Sequence, residues 1–267
     1  MTTVLDLPAE AGTHVTIRGL DKSFGGAVLY KDFNLDIPKG KIVSIFGPNG
    51  CGKSTLINMI SGLMPIDSGE ILFEGKSLAQ TTIGYVFQNY RDALFPWMSA
   101  WDNIAYPIKR SGKSKEEVKN RVEELIALFE IKFNLHLYPY ELSGGQQQTV
   151  SIMRAWAMKP EILFLDVPFS ALDFEMTLFI RTKLQEANLS TGVTMMIVSH
   201  DLEDAVFLAD KILLLTRRPT RISEFMSFDM AKPRAPESVS DPEFIKTKSH
   251  ALEVFQREMR AWPSCNY

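Results

Sequence analysis

Short apolar runs rich in β-branched residues recur along the chain, each closed by Gly, Pro or charge. Residues 14–20 (HVTIRGL) and 41–46 (KIVSIF) have this form and predict strands, with the polar stretch DIPKGK between them. The pattern returns over 69–90, where EILFEG and TIGYVFQ flank the polar KSLAQT. The first third therefore predicts a β-rich layer around one helix that starts near Ser54. From 97 to 158 the strand signal fades. There SKEEVKNRVEELIALFEI sets Val118, Val122, Leu125, Ile126 and Phe129 at helical spacing with charges opposite, which predicts a helical insert. ILFLD (162–166) and VTMMIVSH (193–200) predict buried strands, each followed by a charged amphipathic stretch of helical character, and KILLLT (211–216) is another strand. Strands alternating with helices imply a parallel sheet with right-handed crossovers. After Arg221, the Pro-, Ser- and charge-rich DMAKPRAPESVSDPEF predicts a linker ahead of a last helix, roughly 243–260.

Composition narrows the classes. With 267 residues, 45% hydrophobic and 23% charged, the chain suits one large globular domain or two small ones, and not a fibre, a disordered chain or a disulfide scaffold. The 29 basic and 32 acidic residues leave a net charge of −3, without the cationic surplus of a phosphate-backbone binder, so nucleic acid is not an expected partner. No apolar run approaches the roughly 18 residues of a spanning helix, and MTTVLDLPAEAG lacks a signal-peptide pattern, so a cytoplasmic location is expected. Cys51 and Cys265 cannot form a disulfide framework and suit a reducing compartment.

The candidate chemistry begins directly after KIVSIF. Gly47-Pro48-Asn49-Gly50-Cys51-Gly52-Lys53-Ser54-Thr55 fits GxxxxGK[ST] between a predicted strand and a predicted helix. Glycines there let backbone N–H groups converge on phosphate oxygens at the positive end of the next helix. Lys53 would reach the β- and γ-phosphates, and the Ser54 hydroxyl would ligate Mg²⁺. Further on, Ile162-Leu163-Phe164-Leu165-Asp166 is an apolar strand ending in a carboxylate. Taken alone, that acid is equally a cap for the next element; paired with the phosphate loop it fits a holder of the Mg²⁺ water shell. Leu142-Ser143-Gly144-Gly145-Gln146 sets two glycines at a helix start, which on its own is also readable as a flexible cap.

Together these motifs resemble the ATP-binding cassette (ABC) ATPase family over nearly the whole chain. The resemblance implies an α/β P-loop NTPase cassette with an antiparallel β subdomain and an α-helical subdomain at about 90–158. It places the ATPase domain at 1–230 and a linker with a C-terminal helix at 231–267. Phe24, which lies 53 − 24 = 29 residues before Lys53, is similar in spacing to the aromatic that stacks on adenine; a core aromatic at a strand end is the other reading. By the same resemblance Gln88 is the Q-loop glutamine that touches metal and attacking water. Ser170 and Asp173 belong to the D-loop, and His200 is the switch histidine on the γ-phosphate. Asn49, Gly50, Cys51, Gly52 and Thr55 would line the nucleotide with Gly47, while Ser54, Gln88 and Asp166 would share Mg²⁺. In the family two cassettes sandwich two ATP molecules, so Ser143, Gly144, Gly145 and Gln146 would complete a partner chain's site.

Two positions depart from the family. Val167 stands where it has a glutamate that polarises water, and Thr149 where it usually has arginine. An isopropyl group neither accepts a proton nor orients water, and loss of a general base costs ~10²–10⁴ in rate. Binding should survive, so the expectation is a weakly hydrolytic site paired with a different active ATPase chain. A non-hydrolysing ATP-binding regulatory subunit, or a variant engineered to trap ATP, fits the same residues. HDLEDAVFLADKILLLTRRPTRI and FQNYRDALFPWMSAWDNIAYPI resemble the importer branch serving nitrate, sulfonate, taurine and bicarbonate. The implied assembly has integral membrane permease subunits, a second ATPase chain and an extracytoplasmic substrate-binding protein, with this chain peripheral on the cytoplasmic face of the membrane. Cys51 sits in the phosphate loop, so thiol labelling with protection by ATP is an expected assay.

Overall fold

A computed structural model describes residues 12–169 and 172–260, apart from the side chains of Tyr90 and Asp92. Two sheets organise it. The smaller is antiparallel, with β1 (Thr13–Phe24) between β2 (Ala27–Pro38) and β4 (Ser68–Phe73). The larger holds β3 (Ile42–Phe46), β5 (Ile83–Val86), β6 (Ile162–Asp166), β7 (Thr194–Val198), β8 (Lys211–Leu215) and β9 (Ile222–Ser227) in the order β5-β6-β7-β3-β8-β9. All its neighbours run parallel except β9, which closes the β8 edge antiparallel. The helices are α1 (Lys53–Ile60), α2 (Tyr90–Ala93), α3 (Ala100–Arg110), α4 (Lys115–Leu128), α5 (Gly144–Trp156), α6 (Phe174–Thr191), α7 (Leu202–Leu208) and α8 (Pro242–Arg260). Among the described residues no helix is long and apolar enough to cross a membrane.

The central strands are apolar at nearly every position, as burial on both faces demands. Their period of two divides the core. Ile42, Leu163, Leu165, Met195, Ile197, Ile212 and Leu214 face one cluster with the helical residues Ile104, Val150, Leu184 and Val206. Val43, Ile45, Phe164, Met196, Val198 and Leu213 face the other, which holds Leu56, Ile57 and Ile60 of α1 and Val15, Ile17, Leu35 and Ile37 of the small sheet. Helix α1 is thus packed between two sheets, and its N-terminus is fixed from both sides.

The helical insert is present as expected, with Val118, Val122 and Leu125 of α4 buried and Ser114 closing its N-terminus in a capping box with Glu117. Phe129 is buried at the helix end, whereas Ile126 is half-buried. Strand β2 was not expected: its buried Phe33, Leu35 and Ile37 alternate, but Lys31, Asp32, Asn34 and Asp36 between them read as punctuation. Strand β9 was also missed, because its positions are half-buried and mixed in character. The stretch expected as a linker is instead anchored. Arg234 is 2% exposed and donates to the carbonyls of Val206, Phe207 and Ala209 through Nη1 and to Met230 O through Nη2. Its guanidinium thereby serves the C-terminal carbonyls of α7, and burial pulls its pKa down to about 10.

Candidate functional site

The C-terminal ends of the parallel strands gather the candidate residues. The phosphate loop follows β3, Gln88 follows β5, Asp166 ends β6 and His200 follows β7. This edge of an open α/β sheet is where such folds bind ligands. Gly52 caps α1 with φ 101°, a conformation open to glycine and costly for a residue with a Cβ. The first N–H groups of α1 have no partner within the helix and carry its positive end.

Four side chains from three stretches of the chain hold the loop's carbonyls. Lys53 Nζ donates to Gly47 O (2.8 Å) and Pro48 O (3.1 Å), and Arg218 Nε donates to Gly50 O (2.6 Å). Thr220 Oγ1 donates to Cys51 O (2.5 Å), and Tyr30 OH to Gly52 O (3.0 Å). Because a trans peptide sets C=O and the next N–H in opposite directions, pinning Cys51 O and Gly52 O outward turns the Gly52 and Lys53 N–H groups the other way. The loop is thus a shaped donor surface. Tyr30, Arg218 and Thr220 had no signal in the sequence, since they act across 22, 168 and 169 positions.

Across the cradle, Ser54 Oγ donates to Asp166 Oδ1 at 2.8 Å. Burial raises the Asp166 pKa, against the opposing pull of Ser54, His200 and Lys53. Burial lowers the pKa of Lys53, and His200 is held low by desolvation and then by the Lys53 charge, so His200 is neutral near pH 7. Gln88 and Asp166 line one cleft of ≈ 530 Å³ with Asn58, Leu63, Tyr85 and Phe87. Gln88, Asp166, Ser54, Lys53 and His200 therefore converge on one edge. Val167 follows with φ 45°, an outlier for a β-branched residue, and its amide donates to Val198 O at 3.1 Å. Its side chain is 7% exposed and belongs to the core cluster beneath the loop.

Ser143 caps α5, its Oγ accepting from Gln146 N while its own N–H donates to Gln146 Oε1 at 2.9 Å. Gly144 and Gly145 open the helix, and a Cβ on Gly145 would lie 2.6 Å from Met176 Cγ of α6, which accounts for the glycine. Gln148 Nε2 donates to Pro168 O at 2.8 Å and ties this helix to the segment after Asp166. Thr149 Oγ1 donates back to Gly145 O at 2.8 Å inside the helix. Among the described residues no hydrogen bond joins the 143–146 turn to the phosphate loop of the same chain. Asp173 caps α6 through Met176 N, and Ser170 lies outside the described residues. Phe24 is 43% exposed at the end of β1, with Lys22 Nζ 5.2 Å from its ring centre, so it is not a core aromatic. Asn49 and Gly50 are exposed, and Thr55 is half-buried. Cys51 is less suited to the labelling assay than its loop position suggests: it is 1% exposed and burial raises its pKa, both of which disfavour a reactive thiolate.

Comparison with known proteins agrees with this geometry. The ABC transporter family pattern matches residues 30–170. A sulfate/thiosulfate import ATP-binding protein, CysA of Neisseria meningitidis serogroup A, is 39% identical over 240 residues, covering 86% of this chain and 66% of that protein. A spermidine/putrescine import ATP-binding protein, PotA of Thermotoga maritima, is 38% identical over 209 residues, covering 76% and 56%. The chain thus spans about two thirds or less of the length of these curated relatives. Among solved structures, the dimeric ATP-binding cassette MJ0796 bound to ADP and Pi superposes with a TM-score of 0.71 at 30% identity, covering 81% of this chain and all of that one. The cbiO1 chain of Clostridium perfringens, part of the ABC transporter complex cbiONQ, gives 0.75 at 25% identity over 93% and 99%. With the phosphate loop, the strand-end aspartate and the capped 143–146 turn in one fold, the chain belongs to the ABC transporter family and has the fold of its ATP-binding cassette.

Proposed function

We propose that the chain binds ATP with Mg²⁺ and couples its binding, and with a partner its hydrolysis, to import across a membrane. The observation that carries this reading is the pinned phosphate loop, whose N–H face opens beside Lys53, Ser54, Asp166 and His200. Lys53 Nζ exchanges its two loop carbonyls for phosphate oxygens, and the N-terminus of α1 holds the same anion. Phe24 offers its exposed ring to the base. Ser54 hydroxyl, Asp166 carboxylate and Gln88 amide oxygen form an all-oxygen donor set that fits a hard cation such as Mg²⁺. An ion held by these residues would supply positive charge against the phosphates of the nucleotide. His200, neutral at physiological pH, is a hydrogen-bond partner for the γ-phosphate.

Ser143, Gly144, Gly145 and Gln146 face a partner chain's nucleotide in this reading, with the Asp173 segment beside them, because among the described residues no hydrogen bond ties them to their own loop. Val167 removes the base from this chain's own site while leaving its 143–146 turn free to complete a partner's. The assembly is therefore two non-identical ATPase chains, membrane permease subunits and an extracytoplasmic binding protein, with this chain on the cytoplasmic face. A half-open cleft of ≈ 410 Å³, lined by Phe87, Phe95, Tyr106, Pro107 and Met158 between the sheet edge and the helical subdomain, suits a short helix of a permease. The cargo in this reading is a small anion of the nitrate, bicarbonate, sulfonate or taurine kind, supported by the motif resemblance and by the likeness to a sulfate/thiosulfate importer. The likeness to a spermidine/putrescine importer shows how weakly a cassette reports cargo, since its own residues never touch it.

Val167 favours one second reading, a regulatory subunit that binds ATP without hydrolysis. Co-purification with membrane proteins followed by ATPase assay of the complex separates the two. The transporter reading requires a permease in the complex and ATP turnover from a second chain; a complex with no turnover, or no membrane partner, contradicts it.

A further inference from the structure

At the opposite edge of the large sheet, three groups that the nucleotide site does not use come together. Ring and carboxylate atoms of His14 in β1, Glu74 after β4 and Glu161 before β6 lie within 4.8 Å of one another. His14 is 1% exposed, and its Nε2 is buried with no hydrogen-bond partner. Its Nδ1 is 2.6 Å from Thr194 Oγ1, which also accepts from Gly40 N at 2.9 Å. A buried ring nitrogen without a partner is unfavourable and calls for a ligand. The acids are each half-committed: Glu74 Oε1 takes Lys39 Nζ at 2.6 Å and Glu161 Oε1 takes Thr82 N at 3.0 Å, leaving one oxygen apiece. The backbone fixes the arrangement, since Glu74 N donates to His14 O and Thr194 N to Glu161 O.

We propose that His14, Glu74 and Glu161 form a binding site for a divalent transition-metal ion of the Zn²⁺ class. A neutral imidazole with its other nitrogen fixed by a hydroxyl is the usual presentation of a metal-ligating histidine. One nitrogen and two carboxylate oxygens suit Zn²⁺ better than Mg²⁺, which favours oxygen ligands and its own waters. The ion would join the antiparallel sheet to the base of β6 and β7. Along β6 it lies about 16 Å from Asp166, five residues at ~3.3 Å each, so it is independent of the nucleotide site.

The test is Co²⁺ titration of the intact chain without nucleotide, followed by displacement with Zn²⁺. One equivalent should bind with visible ligand-field bands and no thiolate-to-cobalt band, and Zn²⁺ should abolish them and raise Tm. The exposed acids permit a variant that keeps the core: Glu74→Gln with Glu161→Gln should weaken Co²⁺ at least tenfold and remove the Tm rise while ATP binding persists. Thr194→Val, which leaves all three ligands, should weaken it about 10–100-fold through loss of ring orientation. Absence of Co²⁺ binding to the parent, or binding unchanged in the double variant, overturns the proposal.

Discussion

Val167→Glu puts a carboxylate at the position where the fold has an isopropyl group, and the structure bounds its effect. The Val167 amide is fixed by Val198 O, so the backbone beside Asp166 stays in place and only the side chain changes. A restored base is worth ~10²–10⁴ in rate. At 1.36 kcal/mol per decade this is about 2.7–5.4 kcal/mol of barrier. Stability moves less. Removing a buried valine side chain from the core forfeits about 1.5–3 kcal/mol, offset in part because an unbranched side chain tolerates φ 45° better than valine does. At roughly 2–4 °C per kcal/mol, the fall in Tm is no more than about 12 °C. The assay is steady-state phosphate release by the purified chain at saturating Mg²⁺-ATP, with Val167→Gln as the control that shares the shape and fold cost but has no base. Val167→Glu should exceed Val167→Gln by at least ~10². Equal rates, with ATP affinity intact in both, refute the assignment of position 167.

Other outcomes follow from the same geometry. Asp166→Asn removes a buried carboxylate whose pKa is raised, so it should increase Tm at neutral pH while weakening Mg²⁺-dependent ATP binding. The sign of its pH dependence is fixed: ionised Asp166 destabilises the fold above its raised pKa, and this penalty fades as pH falls through that pKa towards the ordinary carboxylate range. The Tm advantage of the variant should therefore vanish in acid, and an advantage that grows in acid contradicts the assignment. Arg218→Ala loses the bond to Gly50 O and should raise the Kd for ATP about 3–10-fold by calorimetry, with an unchanged Kd as the contrary result. Arg234→Met strands the carbonyls of Val206, Phe207, Ala209 and Met230 and should cost about 3 kcal/mol or more, a Tm drop of roughly 6–12 °C; a drop under ~2 °C would show that water replaces it.

Much of the large sheet was legible because strands buried on both faces are apolar throughout, as in ILFLD and VTMMIV. Strand β2 escaped because its outward face carries Lys31, Asp32, Asn34 and Asp36, the residue types that also mark turns. Arg234 escaped for a different reason: Pro, Ser and charge around it suggest a solvated linker, and only tertiary structure shows three helix-end carbonyls meeting one guanidinium. The phosphate loop was readable since its pattern is carried by a contiguous segment, Gly47 to Thr55. Its scaffolding was not, because Tyr30, Arg218 and Thr220 come from strands and loops far away in sequence. Cys51 shows the limit of motif position as a guide: membership of the loop suggests reactivity, whereas the residue is buried in the same core cluster as Val167.

The central claim is that this cassette grips ATP and does not itself hydrolyse it at a useful rate. Single turnover measures this directly, with radiolabelled ATP and Mg²⁺ held by an excess of the purified chain alone and the nucleotide followed over time. The account predicts that bound nucleotide remains ATP for minutes, and that Lys53→Ala fails to retain it. Conversion to ADP within about a second, the ordinary range of enzyme turnover, would contradict it.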